Sequence, residues 1–566
     1  MDDQKNLFIA IFLCLAILFG FHYFFQGSSP QPQPQETSLP QVAQQLPAAP
    51  AADPMSHAEA LTLTPHRLPI KNTSVRGSIN LEGALFDDLT LTRYHETVDP
   101  QSSQITLLSA GKSSEAYYAR FGWAALPHTA TPTEHTRWET QNTSLTEQTP
   151  VTLSWDNGQG LLFEQTISID DNYMFTITQK VSNLSSTLFA LTPESSLIRR
   201  SEPKSSGFFI LHEGPVGVFE GKLHDPSYED LASTGKLQNP QGKGWLGLTD
   251  KYWLAALIPD PQLPITSFYT RQGTGDATLV TATYQRDALS LSPGQSIETT
   301  EHFFAGPKVL NLLDGYQTTL GINHFDLAVD FGWFYFLTKP IFYALEFLKG
   351  ILGNFGLAIL TLTVFIKLLF LPLANKSYKS MGKMKALQPE IEKLRERYAS
   401  DKMKLNEKIM GLYKQEKVNP MAGCLPMVVQ IPVFFALYKV LFVSIEMRQA
   451  PFYGWIHDLS APDPTTVFNL FGLIPWDPPS FLMIGAWPLV MGVTMFLQQK
   501  MSPPPADPAQ AKVFLFMPLF FTYLLAQFPA GLVIYWTWNN ILSISQQWII
   551  MKRASHVKGK QHGSKP

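Results

Sequence analysis

Charge and cysteine are both scarce in this chain. Only 16% of its 566 residues are Asp, Glu, Lys or Arg, against about a quarter in an average soluble chain. The two cysteines, Cys14 and Cys424, each sit in an apolar run, with roughly 400 residues between them. That distribution argues against a disulfide framework and against a cysteine-based zinc site, and no metal site is expected. No Walker motif, H-E-x-x-H or G-x-S-x-G occurs, so no nucleotide, cofactor or catalytic group is expected and the chain does not read as an enzyme. A formal G-x-G-x-x-G at 242–247 (GKGWLG) is a poor phosphate turn, because Trp245 and Leu246 would crowd it. What is abundant is apolar: 45% hydrophobic residues, with 39 Phe nearly matching 46 acids. A disordered or nucleic-acid-tail protein is excluded, and long apolar segments are expected.

The first such segment is 7–25 (LFIAIFLCLAILFGFHYFF), 19 residues long and sufficient for a ~30 Å hydrocarbon core. His22, Tyr23, Phe24 and Phe25 stand where a cleaved signal peptide needs small residues, so residues 1–25 read as an uncleaved anchor. Residues 26–59 are rich in Pro, Gln and Ala and read as an extended tether. Residues 60–325 carry period-2 patterning. In 166–181 it runs Ile167/Ile169 and Tyr173/Phe175/Ile177 around Asp170-Asp171-Asn172, a hairpin. Further strands are expected at 78–92, 159–169 and 277–291. Strands at regular spacing without amphipathic helices between them favour an antiparallel sandwich. Residues 326–350 mix aromatics with Asp330, Lys339, Glu346 and Lys349, as suits a helix lying in a membrane interface.

Five more apolar runs follow, near 352–373, 421–445, 481–497, 513–528 and 532–550. With the first they make six spans. Between the second and third spans, residues 374–418 hold twelve Lys and Arg against six acids. The tail 551–566 holds five Lys and Arg and no acid, whereas 446–480 has one Arg against four acids. The positive-inside rule puts the hairpin and both termini in the cytoplasm and the β domain outside.

In the hairpin, Leu387, Ile391, Leu394 and Tyr398 make one apolar stripe and Leu405, Ile409 and Leu412 a second. Gln388-Pro389-Glu390 reads as one helix start and Asp401 as the cap of the next. Two such helices pack antiparallel and leave a basic outer face for docking, made of Lys383, Lys385, Lys393, Arg395, Arg397, Lys402 and Lys404.

Lys367 lies inside the second span, nine residues before Lys376 and so about 13 Å deep. No Asp or Glu occurs in any span to pair with it. A lone ammonium at that depth costs at least ~2.5–3.5 kcal/mol, so a wet cavity is the cheaper solution. Thr361, Thr363, Gln430, Thr522, Gln527, Asn539 and Asn540 are candidates to line it. Lys439, near the outer end of the third span, reads as snorkelling to the interface.

Several strings in the membrane half resemble the YidC membrane protein insertases. They are 384–389 (MKALQP), 413–420 (YKQEKVNP), 423–426 (GCLP), 430–438 (QIPVFFALY), 448–460 (RQAPFYGWIHDLS), 500–502 (KMS) and 528–531 (FPAG). The long tethered β domain is similar to that of the Gram-negative members. The resemblance implies a polytopic α-helical membrane protein of six transmembrane helices with an inserted periplasmic antiparallel β-sandwich. Residues 351–550 are then the five-helix core, including the cytoplasmic hairpin 374–420, and 551–566 the basic tail. It also implies a bacterial inner-membrane location and a hydrophilic groove holding a positive residue, usually arginine. Lys367 matches that position and keeps the charge but not the planar fork. Thr363, Gln430 and Thr522 match the groove's polar positions, and Tyr535 and Trp536 match an aromatic pair.

The expected function is insertion and folding of newly made membrane proteins, without nucleotide. The expected partners are nascent membrane proteins, the Sec translocon, the translating ribosome and the lipid bilayer. A small-solute secondary transporter is one rival; it predicts inverted repeats, which the sequence does not display. A membrane-anchored periplasmic binding module is the other, and deletion of 60–320 separates it from an insertase.

Overall fold

Alternation of apolar and polar residues forces successive side chains to opposite faces, and the chain between 67 and 307 answers with antiparallel strands. The computed structural model describes residues 55–200, 211–399, 401–418, 425–476, 478–502 and 508–562. The anchor 7–25, the tether to residue 54, Cys14, Cys424 and the Lys402 side chain lie outside that description. The chain divides into two units: 45–340 with 438–449, and 341–437 with 450–566 and 1–44.

The first unit holds two antiparallel sheets. The ten-stranded sheet runs Arg67–Lys71, Val75–Asn80, Leu85–His95, Tyr117–Ala125, Phe189–Arg200, Leu279–Gln285, Thr266–Gln272 and Lys236–Gln238. Gln104–Leu108 and Leu289–Leu291 pair beside that path. The eight-stranded sheet runs Lys222–His224, Gly214–Phe219, Gly244–Thr249, Trp253–Ile258, Ser296–Pro307, Met174–Asn183, Leu161–Ile169 and Val151–Asp156. They face each other. Phe86 of the first meets Phe175 and Phe303 of the second edge-on, with ring centroids 5.3 and 5.6 Å apart. All three rings are buried, and such pairs add ~0.5–1.5 kcal/mol beyond area burial.

The expected hairpin around 170–172 forms, with Ile169 opposite Phe175. Its turn is fixed by the Asp170 carboxylate, which accepts from the amides of Asn172 (2.9 Å) and Met174 (3.0 Å). The expected strand 78–92 is two strands. Gly83 at φ +87° breaks it, and a Cβ there would stand 2.7 Å from the Glu134 carbonyl. Nor is the unit free of helices. Short α1 (His57–Thr62) and α2 (Tyr228–Thr234) each carry a capping box. After the last strand α3 (Leu310–Leu320) ends on Gly321 at φ +68°.

The G-x-G-x-x-G segment lies on a strand. A Cβ on Gly244 would stand 1.8 Å from the Val218 carbonyl and one on Gly247 2.3 Å from that of Ala255. These glycines permit close strand approach and have no phosphate role in this geometry.

The charged group buried between the sheets, Glu301, is well supplied with donors. The Glu301 carboxylate accepts from Gln179 Nε2 (2.8 Å), Ser195 Oγ (2.7 Å) and the Tyr284 hydroxyl. Burial raises its pKa. Residues 438–449 belong to this unit. Lys439 does not snorkel: its Nζ stands 2.9 Å from Asp330 Oδ2, and Glu446 accepts from the Leu310 amide at 3.2 Å. A carboxylate within reach replaces the water the position alone suggested. Asp330 and Lys339 of the expected interfacial stretch are likewise engaged, Lys339 with Asp314 (2.9 Å) and Asp326 (2.5 Å).

In the second unit α4 (Tyr335–Leu352) enters and α5 (Phe355–Leu369) follows at 120°. Gly353 at φ +72° makes the corner, and the Asn354 side chain caps α5 by accepting from the Leu357 amide at 3.1 Å. The expected span 352–373 is broken at Phe370, where α6 (Leu371–Ala386) starts with proline in its first turn. Then come α7 (Gln388–Arg397), α8 (Lys402–Gln415), α9 (Leu425–Val443), α10 (Ala486–Met501), α11 (Pro508–Leu525) and α12 (Ala530–His562). The buried Asp463 carboxylate caps α10, accepting from the Trp487 amide at 2.9 Å. Among the described residues no single helix is long and apolar enough to cross a membrane, and α4 with α5 passes only as a bent pair.

Two predictions follow from the sandwich. Gly244→Ala should destabilise the full-length protein by about 1–3 kcal/mol through overpacking. Gly122→Ala, with nothing within 4 Å of the added carbon, should be near neutral; thermal unfolding compares the two. Lys308 is buried, donates to Thr249 Oγ1 at 2.9 Å, and burial lowers its pKa to about 8. Between pH 8 and its ordinary value of about 10.4 the unfolded chain takes up this proton first. Stability therefore rises with pH across that window, and the charging penalty is full below it. Lys308→Met should be more stable than the parent at pH 7 by up to about 3 kcal/mol. That margin should shrink between pH 8 and 10, and parallel stability curves for the two would contradict this.

Candidate functional site

In the second unit, helices α5 and α9–α12 reverse the usual distribution of polarity. Their exposed large side chains are apolar: Phe365 and Leu369 on α5, Ile431 and Phe435 on α9, Val493 on α10, Leu519 and Phe520 on α11. Their buried polar side chains include Thr363, Thr494, Thr522, Thr537, Asn540, Ser543 and Gln547. Water as the outer solvent would penalise that arrangement, and hydrocarbon would favour it.

The polar interior is organised by α12, which packs against α5, α6 and α10. Its Asn540 Nδ2 stands 3.2 Å from Thr494 Oγ1, and Gln547 Nε2 donates to the Met501 carbonyl at 3.2 Å. Lys367 of α5 donates to Ser543 Oγ at 2.8 Å, and Ser543 in turn donates to the Asn539 carbonyl at 2.8 Å. Lys367 as a residue is half-buried. It lines a pocket of about 30 Å³ with Ile366, Phe370, Leu373, Ala374, Tyr378, Val429, Gln430 and Gln546. That is room for about two waters, smaller than the broad groove expected from sequence. None of these lining residues is acidic.

The expected site residues therefore separate. Lys367 and Gln430 share the pocket, and Gln430 Nε2 also donates to the buried Tyr535 hydroxyl. Thr363 and Thr522 are buried and turn back to the carbonyls of Ile359 (2.7 Å) and Pro518 (2.8 Å) on their own helices. They do not line the pocket. Trp536 lies edge-on to Phe434, centroids 4.7 Å apart, and packs with Phe521 beside the Met491–Leu525–Val533 cluster. Asn539 lies beside Ser543 and not on the pocket's lining. Ser543, Gln546 and Tyr378 were not anticipated. A signal for two of them was present: Asn539, Ser543 and Gln546 recur at i, i+4 and i+7 on an otherwise apolar helix.

In the segment 374–418, α6 precedes the two expected helices and completes their core. Ile391 and Ile409 bury against Tyr378, Met381, Met384 and Leu387, with Leu394, Leu405 and Leu412 packed alongside. Asp401 accepts from the Lys404 amide at 3.0 Å and caps α8. Lys383, Lys385, Lys393, Arg397 and Lys404 are exposed, while Arg395 is half-buried.

Comparison with known proteins adds independent findings. Residues 347–558 match the family model described as 60Kd inner membrane protein, and residues 67–344 match the YidC periplasmic domain. A protein of Methylobacterium radiotolerans named membrane protein insertase YidC is 46% identical over 98% of this chain and 95% of its own length. One of the same name from Granulibacter bethesdensis is 47% identical over 97% and 98%. A crystal structure of an active YidC insertase with its first transmembrane domain resolved covers 85% of this chain and 92% of its own. Its identity is 16% and its TM-score 0.35.

The crossing of α10 and α11 gives a prediction. A Cβ on Gly492 of α10 would stand 2.1 Å from Thr522 Oγ1 of α11. Gly492→Val should force these helices apart at a cost of about 1–3 kcal/mol, seen as a lower melting midpoint of the solubilised protein. Gly382→Ala on α6, with nothing within 4 Å, should leave that midpoint unchanged or raise it.

Proposed function

We infer the mechanism from one premise: the chain belongs to the YidC family, and it is a membrane protein insertase of the inner membrane with a periplasmic domain. Its clients are membrane proteins, and the transporter and binding-module readings find no support in relatives that bear the insertase name. Within that function, the Lys367 pocket is the place where the hydrophilic end of a client is received. The observation that carries this reading is the ammonium's setting. It has a hydroxyl partner, uncharged polar neighbours and no acid in its pocket, inside a unit whose exterior is apolar.

We propose six spans with both termini cytoplasmic, the first being residues 7–25 followed by the tether 26–59. The sandwich (60–325) stands in the periplasm, the stretch 326–350 in the interface, and 351–550 form the inserting core with its cytoplasmic hairpin and basic tail 551–566. Exposed Trp333, Phe336, Phe347 and Ile351 on and beside α4 support the interfacial placement. The basic hairpin side chains meet the client at the membrane surface, beside the ribosome or the Sec translocon. A short acidic tail then exchanges bulk water for the pocket, where Lys367 attracts it.

The tail's remaining path is short. α10 and α11, at 16 and 18 residues, reach about 24–27 Å and favour a thinned bilayer. The client's apolar segment leaves sideways along the apolar outer faces of α9 and α11. Leu, Ile, Phe and Val at ~0.3–0.6 kcal/mol each supply several kcal/mol over a span. The membrane potential adds ~2.3 kcal/mol per acidic charge per 100 mV, so no nucleotide is required.

Reconstitution into nucleotide-free liposomes with a single-spanning client tests this. Lys367→Glu should abolish insertion of clients with acidic tails, and Lys367→Arg should retain it. Full activity of the glutamate variant would refute the charge role.

A further inference from the structure

Lysine presents a point charge where a carboxylate offers two oxygens, and a second donor must come from elsewhere if both are to be held. The pocket contains a candidate. Gln546 lines it, and its Nε2 is buried with no hydrogen-bond partner among the described residues. A buried carboxamide donor without a partner costs about 1–3 kcal/mol, so an empty pocket is an unfinished one. Helix geometry explains why the two donors converge. Ser543 holds the Lys367 ammonium at 2.8 Å, and Gln546 lies three residues further along α12, on the same face. The other amide on the lining, Gln430, is committed to the Tyr535 hydroxyl. The pocket's volume, about 30 Å³, leaves room for one small polar group.

We propose that Gln546 is a specificity-determining residue of this site, the neutral second donor that, with Lys367, holds one carboxylate of a client's Asp or Glu side chain. This rests on the reading of the pocket given above and extends it. Lys367 supplies attraction to any anion, and Gln546 adds a directional bond that a carboxylate satisfies and a lone charge does not. A client whose tail carries Asn in place of Asp gains little from either residue.

The experiment compares a reconstituted single-spanning client bearing one tail Asp with its Asp→Asn counterpart, in the parent protein and in the Gln546→Leu, Gln546→Glu and Lys367→Leu variants. Gln546→Leu should lower insertion of the Asp client about tenfold or more, the loss of one charge-assisted bond, and leave the Asn client unchanged. Gln546→Glu places an internal acid beside Lys367 and should lower the Asp client further. If Lys367→Leu lowers the Asp client while Gln546→Leu does not, Gln546 has no such role and the charge reading stands alone. If Lys367→Leu changes neither client, the charge reading itself falls. Equal losses for both clients in Gln546→Leu would mark a merely structural residue and overturn the inference.

Discussion

The arrangement of the helical unit depends on one constraint: a lysine ammonium held away from bulk water without a carboxylate in its pocket. Lys367 is anchored to Ser543, and Ser543 is anchored to the backbone of the same helix. A buried ion pair would be self-satisfied and inert toward a client. A hydroxyl orients the charge and leaves two of its protons for other acceptors. The site is therefore electrostatically incomplete, which is what the proposed reception of a client's acid requires.

That incompleteness is tolerated because the surrounding unit is built for a different solvent. In α5 and α9–α12 polar side chains such as Asn540 and Gln547 face inward and find partners, while the outer faces are largely Phe, Leu, Ile and Val. Tight crossings keep the polar interior closed, as where Gly492 lets α10 lie against Thr522. The sandwich unit follows the opposite rule, with an aromatic core around Phe86, Phe121, Phe175 and Phe303. Its buried acid Glu301 is fully supplied with donors. One chain thus applies the same accounting of polar groups to water and to lipid.

How much of this was legible in the sequence depended on the range of the interaction. Period-2 alternation located the 166–181 hairpin because side-chain direction along a strand is a local property. The stripes through Ile391 and Ile409 located α7 and α8 for the same reason. The third helix of their cluster, α6, straddles the end of the span at 373 and the start of the basic segment, and an apolar run does not record the break at Phe370 where it begins. Contacts distant in sequence were invisible. Lys439 is seven residues from Glu446 yet pairs with Asp330, 109 positions away, and no local pattern specifies that choice. Thr363 and Thr522 illustrate the converse. Their type and depth suited a polar lining, but a buried threonine can satisfy itself on its own helix. Only rotation about the helix axis, fixed by packing, decides between the two.

The proposed mechanism puts a client's acidic residue beside Lys367 during insertion. A photoactivatable side chain placed at Phe370, which lines the pocket beside Lys367, reads this directly when the protein is presented with a ribosome-stalled client. Adducts should concentrate at the client's acidic tail and be lost when Lys367 becomes Glu. Adducts confined to the client's apolar segment, or a pattern indifferent to the charge at position 367, would contradict it.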